Sequence, residues 1–489
     1  MDLNKNPIRI GLTFDDVLLV PKRFSGRSRN DINTRTQYSR NIAMNIPVVS
    51  SNMDTVTEAN MAITIARQGG LGIIHRFMPI TEQVKEVEKV KKSESVIIEK
   101  PYTLPPDAIV FDAKALMLEK DVSGILITKL DGSLEGIITA RDIQFETDME
   151  KPIREAMTPR SDLVVASSNI SIDKAKQIFL DQKIEKLPLV KDGKVLTGLI
   201  TASDLQKLET VKNATKDENG LLRVGAAIGV KQDSLPRAKA LIDAGVDSLV
   251  VDIAHGHSDL AIDIVKMLRK EFGDDIDICG GNIATFEGAE DLISAGVDSL
   301  KCGVGPGSIC VTRMVAGSGV PQITAIIEAV RAAKPNNIPV IADGGIRTSG
   351  DIAKAIAAGA SSVMLGNLLA GTKESPGSPI IRNGRQYKVI RGMASLGASL
   401  GRREREEEKK KGSFDDDDFC SSVVPEGVEA IVPYRGSVKE ILYQLIGGLK
   451  SGMSYCGSLS ISEMQKNAEF IQITQAGVIE SRSHDVQQL

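Results

Sequence analysis

The stretch Gly303-Val304-Gly305-Pro306-Gly307-Ser308-Ile309-Cys310-Val311-Thr312-Arg313 carries the densest chemistry in the chain. Three glycines in five positions let the backbone reach positive φ and approach a ligand closely. Successive amides of such a turn line a concavity for an anion or a polar nucleotide group. Cys310 stands in this polar loop and not in an apolar run. A thiol attacks only as thiolate, so a loop cysteine near positive charge is a candidate nucleophile. Thr312 and Arg313 are expected to place a hydroxyl and a cation beside it. The competing reading is a glycine-rich turn that holds a buried thiol.

Such a loop needs a scaffold. The preceding Ser299-Leu300-Lys301-Cys302 reads as a buried strand. Similar runs occur at 223–227, 248–252, 277–280, 340–343 and 362–365, with two more at 46–51 and 71–75. Amphipathic segments such as 260–272, 286–295 and 350–358 separate them. Three runs follow near-identical junctions, Ala244-Gly245-Val246-Asp247, Ala295-Gly296-Val297-Asp298 and Ala358-Gly359-Ala360-Ser361. Glycine there suits the left-handed residue that ends a helix and turns the chain into the next strand. Eight strand–helix units predict an α/β fold, a closed (β/α)8 barrel, with ligand groups at the C-terminal strand ends. Polar residues collect there: Asn52, His75, Asp252, Asn282, the Cys310 loop, Asp343-Gly344-Gly345 and Gly366-Asn367. Loops after the last two strands usually take a phosphate, which makes Gly345 and Gly366 candidates.

The rhythm breaks near Lys92 and resumes after Asn213. Between them a unit occurs twice, about sixty residues apart. Gly124–Thr128, Asp131-Gly132 and Gly136–Ile143 form one copy; Lys186–Val190, Asp192-Gly193 and Gly198–Leu205 form the other. Each reads as a hairpin with an Asp-Gly turn and a Thr-x-x-Asp helix start. The expected division is 1–92 barrel, 93–212 insert, and 213–489 barrel with a charged excursion at 391–427. That excursion, from Arg402 through Lys411 to Asp418, reads as a solvated flap and a candidate lid.

Lys and Arg number 60 against 64 Asp and Glu, so nothing points to a nucleic-acid or membrane surface. The absence of Trp disfavours base stacking. Five cysteines without C-x-x-C spacing argue for a reducing compartment rather than disulfides or zinc. With no apolar leader at Met1–Lys5 and no membrane-length apolar run, a cytoplasmic location is expected.

Thr13–Leu19, the Gly303–Arg313 loop, Asp343-Gly344-Gly345-Ile346 and Gly392-Met393 together resemble motifs of the IMP dehydrogenase/GMP reductase family. The repeated insert resembles a pair of CBS modules, whose motif aspartates would be Asp142 and Asp204, holding regulatory adenine or guanine nucleotides. The resemblance implies addition of the Cys310 thiolate to purine C2, with Thr312 near the proton transfers. It places Ser51, Met53, Ser308, Asp343, Gly345, Gly366, Asn367, Gly392, Met393 and Glu426 around a purine nucleoside monophosphate. Asp252, Asn282, Gly303 and Gly305 fall to the nicotinamide cofactor; the carbonyls of Gly303, Gly305 and Cys310 fall to a monovalent cation such as K⁺. A homotetramer, extended to octamers through CBS pairs, is implied in the same way.

Two activities share this chemistry: NADPH-dependent reduction of GMP to IMP, and NAD-dependent oxidation of IMP to XMP. Dehydrogenases of the family carry an Arg-Tyr pair in the flap as base for the hydrolytic water. No Arg-Tyr dipeptide occurs between Gly392 and Val424, where Arg402, Arg403 and Arg405 stand with Phe414 and Phe419. Asn52-Met53-Asp54 also looks like the reductase version. Against this, Leu396 stands where reductases usually have a glutamate that helps ammonia leave, and His75-Arg76 and Val423–Gly427 look dehydrogenase-like. The missing base weighs most, so GMP reductase is the expectation and IMP dehydrogenase the alternative. A barrel serving only as a nucleotide-sensing assembly protein is the reading from another class.

Overall fold

A computed structural model describes residues 8–94, 97–205, 213–395, 397–398 and 424–482. The chain divides into two compact units, 1–93 with 213–489, and 94–212. In the first, eight parallel strands close into a barrel. They are β1 Val48–Ser50, β2 Leu71–Ile74, β3 Val224–Ile228, β4 Ser248–Asp252, β5 Asp277–Ile283, β6 Ser299–Cys302, β7 Val340–Asp343 and β8 Ser362–Leu365. Leu365 pairs with Ser50 to shut the ring. The barrel expected from the eight sequence runs is therefore the fold.

Helices α1 Ala59–Arg67, α2 Ile80–Lys92, α3 Ser234–Asp243, α4 Asp259–Phe272, α5 Phe286–Ala295, α6 Gln322–Ala333, α7 Ser349–Ala357 and α8 Val438–Tyr455 accompany the strands. In α4, Ala261, Ile264, Val265 and Leu268 form a buried apolar stripe, and Asp259, Asp263, Lys266, Lys270 and Glu271 take the exposed side. Gly245, Gly296 and Gly359 take φ of 86°, 105° and 107° after α3, α5 and α7, the conformation that lets each helix end and the chain re-enter the barrel. Side chains along a strand alternate between two layers. In β6, Leu300 and Cys302 pack outward under the helices. Ser299 and Lys301 therefore face the barrel interior. Tyr38, Ile42 and Met44 fill that interior together with Val49, Ile73, Ala227, Val250, Cys279 and Ile341. The Tyr38 hydroxyl lies 3.3 Å from the Ser248 hydroxyl at the start of β4, so this plug closes the N-terminal end. The C-terminal end is left for the polar loops.

The second unit contains two four-stranded sheets. Gly124–Thr128 pairs with Leu134–Thr139 in one, and Lys186–Lys191 pairs with Val195–Thr201 in the other. Asp192 and Gly193 both have positive φ, 53° and 72°, as a two-residue hairpin turn requires. Among the described residues, no helix is long and apolar enough to cross a membrane.

Candidate active site

β6 delivers the chain at Cys302 to a turn that only glycine can make. Gly303 has φ of 147°, and a Cβ there would stand 2.1 Å from the Asp343 carbonyl oxygen. The loop thereby lies against the end of β7. Cys310 is half-buried, and its Sγ lies 3.2 Å from Thr312 Oγ1. The hydroxyl expected beside the thiol is present. The cation is not: Arg313 turns back and donates to the carbonyls of Val304 and Val320 at 3.3 and 2.5 Å. Carbonyls exposed by the tight turn compete for the guanidinium, so Arg313 braces the loop instead of facing the thiol.

Both ends of the charged excursion are tied to this loop. Cys310 forms an antiparallel bridge with Gly427. The Val311 amide donates to the Glu426 carbonyl at 2.9 Å, and the Val428 amide to the Ile309 carbonyl at 3.0 Å. The Gly392 amide donates to Val428 and the Glu426 amide to Ala394. Gly392, Met393 and Glu426 thus become walls of the cavity that Cys310 and Thr312 enter, a space of about 410 Å³. The tip of the excursion, with Leu396, Arg402, Arg403, Arg405, Phe414 and Phe419, lies outside the described residues. Arg391, at the foot of the excursion, donates through Nε and Nη2 to the Asp54 carboxylate, which is 6% exposed.

The floor of the cavity is ionic. The Lys301 side chain is 2% exposed, and its ammonium sits 3.0 Å from Asp252 Oδ1 and 3.3 Å from Asp343 Oδ2. It also donates to Asn282 Oδ1. Asn282 Nδ2 donates at 2.8 Å both to Asp343 Oδ2 and to the Gly303 carbonyl. A register shift in β5 between Gly281 and Ile283 brings Asn282 into this arrangement. Burial alone would raise the Asp252 carboxyl. The Lys301 and Arg76 charges, with hydrogen bonds from Lys301 and Asn52, outweigh it and hold Asp252 below its ordinary value. Burial alone would lower the Lys301 ammonium, but Asp252 and Asp343 hold it above its ordinary value.

A second space of about 250 Å³ shares Ser51, Met53, Pro306, Gly307, Asp343 and Gly344 with the first. It adds Ser308, Gly345, Gly366 and Asn367. Gly344 and Gly345 have φ of 89° and 79°, a backbone that presents amides to a small anion. The barrel end therefore offers a cleft with an amide-lined end, a thiol at its middle and an ionic floor. Ser51, Met53, Ser308, Asp343, Gly345, Gly366, Asn367, Gly392, Met393 and Glu426 all line it, as do Asp252, Asn282, Gly303, Gly305, Cys310 and Thr312. Asp142 and Asp204 belong to the second unit. Asp142 accepts from the Thr139 amide at 2.7 Å, and Asp204 from the Thr201 hydroxyl at 2.6 Å. Both carboxylates take part in helix starts.

The sequence motifs do not mark Lys301, the Arg391–Asp54 pair or Arg76 as site residues. A signal for Lys301 is present in the sequence: it is the one charge in the buried run Ser299–Cys302. Arg76 lines the first cavity beside Asp252, and its buried Nε has no hydrogen-bond partner among the described residues.

Residues 11–484 match the family described as IMP dehydrogenase / GMP reductase domain. The chain belongs to the IMP dehydrogenase/GMP reductase family. It is 52% identical over 476 residues to an inosine-5'-monophosphate dehydrogenase of Nitrosopumilus maritimus, covering 97% of this chain and 98% of that one. It is 49% identical over 491 residues to a GMP reductase of Leishmania donovani, covering 98% of each. A crystal structure of a cysteine-to-alanine GMP reductase from Trypanosoma brucei, in complex with guanosine 5'-monophosphate, superposes with a TM-score of 0.88 at 46% identity, covering 99% of this chain and 100% of that one. A GMP reductase from Trypanosoma brucei in complex with guanosine 5'-triphosphate superposes at 0.78 with 41% identity, covering 96% of this chain and 99% of that one. This family member is thus an enzyme of purine nucleotide oxidation and reduction, a chemistry that the family carries out with nicotinamide cofactors.

Proposed function

We propose that the chain is a GMP reductase, converting GMP to IMP and ammonia with NADPH through a cysteine adduct at purine C2. The observation that carries this reading is the absence of any Arg-Tyr dipeptide between Gly392 and Val424. Oxidation to XMP needs a base for water, whereas reduction needs only a proton donor for the leaving amine. The cleft supplies candidates for that donor. Thr312 sits 3.2 Å from the thiol, and Glu426 is pinned by main-chain bonds on both sides within the same cavity. Leu396 stands where the resemblance implies a reductase glutamate, and in this reading Glu426, which lines the cavity, takes that role.

In this reading the monophosphate meets the amides around Ser308, Gly345 and Gly366, with Asn367, Ser51 and Met53 beside it. Asp343 accepts from the ribose hydroxyls, and Gly392 and Met393 cover the base. The Cys310 thiolate forms a bond to C2. The C2–N bond breaks, and the amine leaves as ammonia after taking a proton from the Thr312–Glu426 side. The chemistry supplied by bound NADPH is hydride delivery to C2, after which the S–C bond breaks and the thiolate is restored. Asp252, Asn282, Gly303 and Gly305 would hold the nicotinamide half, and the Arg76 Nε, without a partner among the described residues, fits a group that brings an acceptor.

A monovalent cation such as K⁺ on the carbonyls of Gly303, Gly305 and Cys310 belongs to the same proposal. The Gly303 carbonyl already accepts the Asn282 amide, which leaves it one lone pair for an ion. No step is routed through that ion. The second unit is read as a CBS pair with Asp142 and Asp204 toward adenine or guanine nucleotides, supported by its two repeated modules. A cytoplasmic homotetramer, joined into octamers through these pairs, completes the reading.

The alternative is an NAD-dependent IMP dehydrogenase, favoured by the 52% identity to a protein of that name and by His75-Arg76. It requires Arg402, Arg403 or Arg405 as the base. A paired assay decides. GMP with NADPH should lose reduced-nicotinamide absorbance, while IMP with NAD⁺ and potassium stays flat. A gain in the second cuvette would replace the reductase by the dehydrogenase.

A further inference from the structure

We propose that Lys301 is a positioning residue that couples the nucleotide and nicotinamide subsites, so that each ligand tightens the other. The inference rests on the reading of the cleft given above, in either direction of reaction.

Four strands converge on this one ammonium. Lys301 stands on β6; its partners come from β4 (Asp252), β5 (Asn282) and β7 (Asp343). An ammonium has three N–H donors, and here three side-chain acceptors are within reach. Asn282 is tied into the same unit: its oxygen is held by Lys301 and its nitrogen by Asp343 and the Gly303 carbonyl. Asp343 lines both cavities, whereas Asp252 and Asn282 line only the first. The cluster therefore reaches from the nucleotide end to the cofactor end within one hydrogen-bonded unit. At 2% exposure the ammonium is shielded from water, so its charge interactions are little screened. A nucleotide that fixes Asp343 fixes, through Lys301, the carboxylate and amide facing the cofactor. The ordering cost then falls once for both ligands, which is positive cooperativity. Thermodynamic linkage requires the effect to be reciprocal.

The test uses the full chain in a Cys310→Ala background, so that both ligands bind without turnover. NADPH affinity is titrated calorimetrically with and without saturating GMP. The expected result is that GMP tightens NADPH at least about fivefold, the lower end of ordinary coupling. Adding Lys301→Met should bring that factor to within twofold of one, while Lys301→Arg keeps most of it. A purely structural role would lower Tm and leave the factor unmoved. Should Lys301→Met not fold, the Lys301→Met, Asp252→Asn double variant keeps the cluster's net charge at its original value, and the factor is read there. No coupling in the Cys310→Ala protein, or undiminished coupling in the lysine variants, would overturn the proposal. If GMP does not bind at all, the reductase reading fails by itself, and the same titration with IMP and NAD⁺ reads the coupling.

Discussion

At the scale of single residues, the cleft separates the atom that bonds to substrate from the groups that serve it. Cys310→Ser should lower turnover at least about a thousandfold while GMP still binds, because the amide-lined end does not involve the thiol. Near-normal turnover in that variant would remove the covalent step. Glu426 is held by its main chain, so Glu426→Gln should keep the loop in place and act on proton transfer alone. A fall in kcat of about a hundredfold with little change in nucleotide KM is expected; a rise in KM alone would make Glu426 a binding group only. The floor cluster fixes a pH window. Asp252 is held below its ordinary value, so its stabilisation is present above about pH 4 and is lost as pH falls through the lower folded value. Lys301 is held above its ordinary value, so its contribution is present below about pH 10 and is lost only above that. Without Lys301, burial raises the Asp252 carboxyl, so its ionisation destabilises the variant; the Tm difference between the parent and Lys301→Met should therefore widen as pH rises above about 4 and shrink in acid, as thermal melts across pH would show.

Among the elements, the excursion after β8 is positioned by its foot. The Arg391–Asp54 pair joins the strand Arg385–Arg391 to the loop after β1, across 337 positions of sequence. Removing one partner of a buried pair leaves an uncompensated charge. Arg391→Ala should destabilise the protein by about 3 kcal/mol and raise the GMP KM, since Gly392, Met393 and Met53 adjoin the pair. Chemical denaturation and steady-state kinetics check the two halves separately. A lowered stability with unchanged KM would confine the pair to holding that strand against the loop after β1.

At the scale of the whole molecule, 94–212 is a compact unit with cores of its own. The barrel does not need it to close: β2 pairs directly with β3 across the interruption. The Thr215 amide donates to the Ala66 carbonyl, and Asn45 donates to the Asn213 carbonyl, so the returning chain is anchored on the barrel. Replacing 94–212 by a short linker should leave kcat within about threefold and abolish any response to adenine or guanine nucleotides. An aggregated product would show that the unit is required for folding.

What the sequence determined by itself is local in origin. Strand and helix alternation is written in apolar period, and the barrel followed from counting it. Gly245, Gly296 and Gly359 announced left-handed turns because only glycine takes that backbone without penalty. The Cys310 loop was legible for the same reason, together with the thiol it carries. Only the tertiary structure decided which side chains meet. Barrel closure brings strand ends together that are far apart in sequence, and no period encodes that meeting. Lys301 belongs to a run that reads only as a buried strand, and β4, β5 and β7 are what give its ammonium its partners. Arg313 looked like a partner for the thiol until the turn's own carbonyls claimed it. Glu426 became a neighbour of Cys310 because the excursion folds back and pairs its end with the cysteine loop, a contact that depends on the three-dimensional path of the chain.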